Sequence, residues 1–242
     1  MLEAVIFDFN GVIIDDEGVH CELFQELLAE RGFTLSRQEY DERYLAYDDA
    51  ACFRRMFADR GRSLSEAELR ELLARKSRRY HTRLGSGMVI FPGAVELVRR
   101  CAEVYPLALG SGARRDEIEA VLKHLSLLAC FTCIVSADEV AESKPQPETY
   151  TTALRLLNAA RGARESSIPP SHCLVIEDTP GGVAAARAAG MRCLAVTHSV
   201  PAAHLRAADA VVETLRGLDL ALLRVVGQAG SVPPGAWSLS DE

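Results

Sequence analysis

An aspartate, an asparagine, a serine, a lysine and an adjacent glutamate–aspartate pair sit at the points in this chain where chemistry is expected. Asp8 and Asn10 follow the apolar run Ala4-Val5-Ile6-Phe7, and Gly11 comes next. Residues two apart on a strand point the same way, so Asp8 and Asn10 leave the strand end close together. Ser111 closes a second apolar run in "LALGSGARR", Lys144 lies in "ESKPQPETY", and Glu177-Asp178 end a further run in "CLVIEDTPGG". Carboxylates from two runs, a hydroxyl and a lysine suit a phosphate substrate. Asp8 and Asp178, with Glu177 or a water, fit an octahedral oxygen site for a hard cation such as magnesium. Lys144 and Ser111 can hold phosphoryl oxygens. Lys144 also offsets repulsion among the carboxylates, which would otherwise raise one pKa. One metal-shielded carboxylate can then attack phosphorus in line and form an aspartyl-phosphate. Each residue alone has a plainer reading. Asp8 can be a helix cap, Ser111 a turn residue, Lys144 a solvated side chain, and Glu177-Asp178 the cap of the helix that Pro180 begins. The set, in this order, points to phosphoryl transfer.

These residues need a scaffold that brings strand ends together. Strand-like apolar runs cover 4–8, 107–111, 131–136, 173–177, 192–196 and 209–213, with helical patterns between them at 94–103, 114–125, 147–160 and 180–190. Strands alternating with helices predict an α/β fold, a Rossmann-like parallel sheet with helices on both faces, whose sites form beyond the carboxyl ends of the strands. Helix starts after the first and second strands add backbone N–H donors for an anion. Residues 16–86 break the alternation and read as all helix, a helical cap inserted after the first strand. Val19, Leu23, Leu27 and Leu28 fall on one helical face, with Gly32 as the stop. Ser36 with Glu39, and Ser65 with Glu68, have capping-box spacing, and Leu64 with Leu69 has the spacing of a staple. The expected domains are a core of 1–15 and 87–228, the cap of 16–86 with "GSG" at 85–87 as a flexible return, and a flexible tail of 229–242.

Composition narrows the function classes. The 242 residues are 48% hydrophobic and 25% charged, with net charge -7 and no long Lys/Arg cluster, so a nucleic-acid partner is not expected. No apolar run has membrane-spanning length. A core strand begins within a few residues of Met1, which leaves no room for a signal peptide and predicts a cytoplasmic location. Seven scattered cysteines read as buried reduced thiols. Cys130 and Cys133 form a single CxxC with no second ligand pair for zinc, and they overlap the strand-like "CFTCIV". The six histidines show no metal-ligand spacing.

The chain resembles the haloacid dehalogenase-like hydrolase superfamily, in its subgroup with a small helical cap. "DFNGVIID" resembles the family's first motif, Asp-x-Asp-Gly-[Val/Thr]; Ser111 falls where the second places Ser or Thr; "SKPQPETY" is similar to the third; and "IEDTPGGVAAARAAG" resembles the fourth. "FPGAVELV" matches the Pro-Gly that commonly follows the cap. The likeness runs from residue 4 to about 215. It implies a magnesium-dependent phosphatase of a small phosphorylated metabolite. Asp8 would be nucleophile and metal ligand, and Asn10 would lend its backbone carbonyl to the metal. Ser111, Gly112 and Lys144 would hold the phosphoryl group, and Asp178 with Glu177 would complete the metal site. His20, on the first cap helix, matches a polar position that related sugar-phosphate enzymes place near the hinge. Where those enzymes carry a phosphate-gripping Arg in the cap loop, this chain has "YDDAA" at 47–51, with Asp48 and Asp49.

The departure that bears on mechanism is Asn10, where family phosphatases have the Asp that protonates the leaving oxygen and then activates water. An amide cannot exchange a proton near neutral pH. Positioned acid/base catalysis contributes ~10²–10⁴-fold, about 3–5 kcal/mol of barrier. Three readings follow: an enzyme whose leaving group needs no proton, such as an acyl phosphate; a protein that holds a phosphorylated ligand without efficient turnover; or an engineered Asp→Asn variant. A sugar phosphomutase is a subgroup alternative that loses the same proton shuttle. Dehalogenation has no need for the acidic pair Glu177-Asp178. Substrate and oligomeric state are not legible.

Overall fold

The computed structural model describes residues 1–45, 47–84, 89–162 and 166–228. The expected return linker at 85–87 and the expected tail at 229–242 lie outside the described residues. Two compact units are present. One joins Met1–Ile14 to the chain from Ile90 onward, and the other is Asp15–Val89.

In the first unit, six strands among the described residues form one parallel sheet in the order β3-β2-β1-β4-β5-β6. The strands are β1 (Ala4–Phe7), β2 (Leu107–Gly110), β3 (Cys133–Val135), β4 (Cys173–Glu177), β5 (Arg192–Val196) and β6 (Ala210–Val212). The α/β, Rossmann-like reading of the alternation holds. β1, β2 and β4 are buried throughout, as apolar parallel strands covered on both faces must be. β1 pairs with β2 on one side (Ile6 opposite Ala108) and with β4 on the other (Ile6 opposite Val175). The order therefore reverses at β1, and a crevice opens beyond the carboxyl ends of β1 and β4, where such sheets bind ligands. Helices α5 (Ala94–Ala102), α6 (Arg115–His124), α7 (Glu148–Ala160), α8 (Pro180–Ala188) and α9 (Leu220–Gln228) belong to this unit. On one side of the sheet, Tyr150, Ala153 and Leu157 of α7 and Val183, Ala185 and Ala186 of α8 pack on Ile6, Val175 and Cys193.

The expected strand at 131–136 is shorter than its apolar run. Cys130 ends a short 3-10 turn, Leu128–Cys130, and only Cys133 of the CxxC enters β3. All seven cysteines are free thiols, five of them buried.

The second unit is helical: α1 (Glu17–Ala29), α2 (Arg37–Arg43), α3 (Asp49–Ala58) and α4 (Glu66–Leu84). Its core is Phe24, Leu27, Leu28, Tyr40, Phe53, Met56, Phe57 and Leu72. Val19, expected on the buried face of α1, is only partly buried; Phe24, larger and a turn further along, fills that face instead. Gly32 ends α1 at φ 78°, a conformation that suits glycine. One of the two expected capping boxes forms in full; at Ser36 only the hydroxyl half does, and the Glu39 carboxylate accepts from Arg60 and Tyr44. Ser36 Oγ accepts from the Glu39 N–H at 3.0 Å. Ser65 and Glu68 exchange both bonds of a capping box, at 3.2 and 3.0 Å.

Candidate active site

The site begins where β1 stops. The Asp8 N–H donates to the Ile176 carbonyl at 3.0 Å, carrying the ladder one residue past the strand. Glu177 is the last residue of β4 and Asp178 follows it. The three side chains are buried, and one carboxylate oxygen from each lies within 4.8 Å of the others.

Lys144 reaches this cluster from the loop before α7. Glu148 pins that loop by accepting from the N–H groups of Ala141 and Glu142 at 3.0 and 2.7 Å. The Lys144 ammonium donates to Asp8 Oδ1 and to Glu177 Oε1, both at 2.7 Å, and lies 4.8 Å from the centre of the Tyr150 ring. Tyr150 also donates to Glu177 Oε1 at 2.7 Å. The other Glu177 oxygen accepts from the N–H groups of Asp178 and Thr179 and from the Thr179 hydroxyl, at 2.9, 3.1 and 3.1 Å. A side chain at position 182 would collide with this carboxylate, so glycine stands there. Five donors leave Glu177 well anchored, and its chief task in this arrangement is to hold Lys144.

Asp178 is arranged differently. Its Oδ2 accepts from the Ser199 hydroxyl, while its Oδ1 is buried with no hydrogen-bond partner. Gly11, at φ 76°, packs against the same carboxylate so closely that any Cβ would overlap it. The acidic pair does not cap α8: Thr179 does, its hydroxyl accepting from the Gly182 N–H at 3.1 Å. That removes the plain reading of Glu177-Asp178 as a helix cap and leaves Asp178 buried beside Asp8 and Glu177.

The charges are unbalanced, with three buried carboxylates against one ammonium. Burial, reinforced by the Glu177 charge and opposed by Lys144, pushes the Asp8 carboxyl up to about 7. Burial and the charges of Glu177 and Asp8 raise Asp178 well above the usual carboxylate range. Glu177 is also desolvated, but Lys144 outweighs burial and holds it below that range. An orphaned, buried carboxyl oxygen beside a second carboxyl group is the donor set a hard divalent cation takes, so the residues fit magnesium.

A pH effect on the metal-free protein follows. Asp8 binds its proton more tightly folded than unfolded, so its contribution to stability is fully present below the unfolded value near 3.8 and is lost as pH rises to about 7. Asp178 acts in the same direction. Thermal melts in EDTA are expected to show a lower transition at pH 8 than at pH 5.5. A transition that rises over that range would contradict the charge arrangement.

Asn10 and Ser111 also meet. The Ser111 hydroxyl accepts from the Ala113 N–H at 3.0 Å and donates to Asn10 Oδ1 at 3.3 Å, so Ser111 is more than a turn residue. Gly112 is exposed, with open space where a Cβ would be. His20 lies in the helical unit. Its Nε2 is 3.2 Å from Asp16 Oδ2, its Nδ1 is 2.5 Å from the Lys76 ammonium, and its ring stacks on Tyr80 at 4.9 Å. Lys76 is fully buried and also donates to both oxygens of Asp49, at 2.7 and 2.8 Å. Burial and Lys76 oppose a charge on this imidazole while Asp16 and Asp49 pull it up to about 9; the close Lys76 contact favours a neutral ring that accepts from Lys76 and donates to Asp16, because an imidazolium would aim a second proton at an ammonium. The partners described for His20 give it a structural task. Asp48 has one too, capping α3 by accepting from the Ala51 N–H at 2.8 Å.

Three residues escaped the sequence reading: Tyr150, His198 and Ser199. Tyr150 stands in the quoted "PETY" but reads as one more residue of a helix face. His198 and Ser199 follow β5, and asking for polar residues at the end of that strand, as was done for the others, would have found them. His198 Nδ1 donates to the Gly11 carbonyl at 2.8 Å, and its ring stacks on Phe91 at 3.8 Å with 7° between the planes.

Comparison with known proteins agrees with this fold. A family model described as haloacid dehalogenase-like hydrolase matches residues 5–196. Protein CbbY of Rhodobacter capsulatus is 33% identical over 199 residues, covering 79% of this chain and 83% of that protein. Fructose-1-phosphate phosphatase YqaB of Escherichia coli is 30% identical over 191 residues, covering 78% and 93%. Among solved structures, an Asp-to-Asn mutant of CbbY from Rhodobacter sphaeroides in complex with xylulose-(1,5)bisphosphate superposes with a TM-score of 0.78 at 25% identity, covering 91% and 98%.

Proposed function

The chain belongs to the haloacid dehalogenase-like hydrolase family and is an enzyme of the phosphatase type; on that premise we propose that it is a magnesium-dependent phosphatase of a small phosphorylated metabolite, working through an aspartyl-phosphate on Asp8 and adapted to leaving groups that need no proton. The observation that carries this reading is the cluster at the strand switch, in which Asp8 is bound by Lys144 and faces a carboxylate whose second oxygen has no partner. Asp8, the Asn10 backbone carbonyl and Asp178 would hold the cation, with Glu177 behind them on Lys144. When bound there, a divalent cation would offset the excess negative charge and supply Lewis-acid polarisation of the phosphoryl group. An Asp8 oxygen attacks phosphorus, and the bond to the leaving oxygen breaks with its electron pair on that oxygen. Lys144 and Ser111 hold the phosphoryl oxygens, with Gly112 beside them at the start of the turn. Water then attacks phosphorus, the bond to the Asp8 oxygen breaks with its electron pair on the carboxylate, and the phosphate leaves carrying both of the water's protons, a step that Asn10 does not assist. We assign the unit of Met1–Ile14 and Ile90 onward to this catalytic core, and Asp15–Val89 to a cap.

A second reading, slow turnover with a retained phosphorylated ligand, is supported by Asn10 itself, whose amide oxygen is engaged by Ser111. It is supported too by the CbbY mutant, which carries Asn for Asp and was solved with a sugar bisphosphate. One experiment separates them. With magnesium and beryllofluoride, Asp8 is expected to form an adduct visible by fluorine NMR, and Asp8→Ala none. Acetyl phosphate is expected to turn over faster than sugar phosphates. An adduct with no turnover of either class would favour the second reading. No metal-dependent adduct would overturn the assignment of Asp8 as nucleophile.

A further inference from the structure

Asp178 offers its two oxygens to different surroundings. Oδ2 is walled in by Gly11 and takes the hydroxyl proton of Ser199, because a carboxylate can only accept. Oδ1 is left buried and unpartnered. Ser199 is itself held in place through its neighbour. His198 donates to the Gly11 carbonyl at 2.8 Å and lies flat against Phe91. The segment after β5 is thus tied to the turn after β1, with the Asp178 carboxylate between them.

We propose that Ser199 is a positioning residue of the cation site: by occupying Asp178 Oδ2 it presents Oδ1 as a one-oxygen ligand and so favours magnesium over calcium. The inference rests on the reading of Asp178 as a cation ligand. Its chemistry is that of ligand number. Magnesium demands near-ideal octahedral geometry from single oxygens, whereas calcium accepts more ligands and two-oxygen carboxylates in flexible arrangements. A carboxylate with one oxygen committed elsewhere serves magnesium. Released from Ser199, it can rotate or bring both oxygens to a larger ion. Partners that orient a ligand in this way are worth about 10–100-fold in metal affinity.

The test is calorimetric titration of the metal-free chain with magnesium chloride and with calcium chloride, for the unsubstituted protein, Ser199→Ala and Ser199→Thr, with circular dichroism and melting to verify folding. Ser199→Ala is expected to weaken magnesium about 10–100-fold and calcium markedly less, so that the preference for magnesium shrinks. Ser199→Thr, which keeps a hydroxyl on the same carbon, is expected to restore most of it. Unchanged magnesium affinity in Ser199→Ala would overturn the inference. So would equal weakening of both cations, which is the mark of general distortion. If the unsubstituted chain binds neither cation, the cation reading fails and this inference with it.

Discussion

Asn10→Asp is expected to raise turnover of alkyl phosphate esters by ~10²-fold or more, and to leave the first step with acetyl phosphate, release of acetate as Asp8 is phosphorylated, little changed. An alkoxide leaving group needs a proton as its bond to phosphorus breaks, and an amide has none to give. A leaving carboxylate is stable without one. In this structure the amide oxygen of Asn10 is held by the Ser111 hydroxyl at 3.3 Å, so a carboxylate of the same size and position would have a partner ready. Steady-state kinetics on glucose or fructose phosphates, beside single-turnover release of acetate from acetyl phosphate, reads the difference. One control is needed, because Asn10 precedes Gly11 and an Asn-Gly pair is prone to deamidation. Attack on the side chain requires a free Gly11 nitrogen, and here that N–H donates to the Ile14 carbonyl at 2.9 Å. The folded chain should therefore keep its amide, and peptide mapping of the assayed material checks this. If undeamidated protein hydrolyses sugar phosphates as fast as Asn10→Asp, residue 10 does not limit the reaction, and another group carries the proton.

Lys144→Met is expected to destabilise the metal-free protein by about 3–5 kcal/mol at pH 8, the usual cost of leaving buried charge unpaired. For a chain of this length that lowers the melting temperature by on the order of 10 °C. Lys144 is the ammonium that binds Asp8 and Glu177 together, each at 2.7 Å, and its side chain is only 12% exposed. Without it, the Asp8 carboxyl, already pushed up to about 7 by burial, rises further. A raised carboxyl contributes stability at low pH that is lost as pH climbs through the folded value, so the deficit grows between pH 5.5 and pH 8. Urea melts in EDTA at the two pH values measure it. A deficit that is small, or larger at pH 5.5, would mean that Lys144 is solvated and the cluster is not a coupled charge system.

Much of this was legible in the chain. Apolar runs of four or five residues separated by amphipathic stretches can only be buried as parallel strands covered on both faces. Once the strands are parallel, polar residues at their ends must converge. That logic is why Asp8, Ser111, Lys144 and Glu177-Asp178 could be named together, and why the capping residues Ser36 and Ser65 could be placed from spacing alone. These are local rules, carried by periods of two and 3.6 residues.

What only the tertiary structure decided is how the polar groups divide their work. Glu177 and Asp178 are adjacent in sequence and chemically alike, yet one is tied down by five donors and the other keeps a buried oxygen unpartnered. The difference lies in what packs against each: Lys144, Tyr150 and the groups of Asp178 and Thr179 reach Glu177, while Gly11 and Ser199 pack against Asp178. Asp49 and Lys76, 27 residues apart, and Ser199 and Asp178, 21 apart, meet because helices and strands pack, and no local period encodes such a pairing. The chain by itself determined which residues would gather beyond the strand ends. Packing determined which of them would hold charge and which would be held.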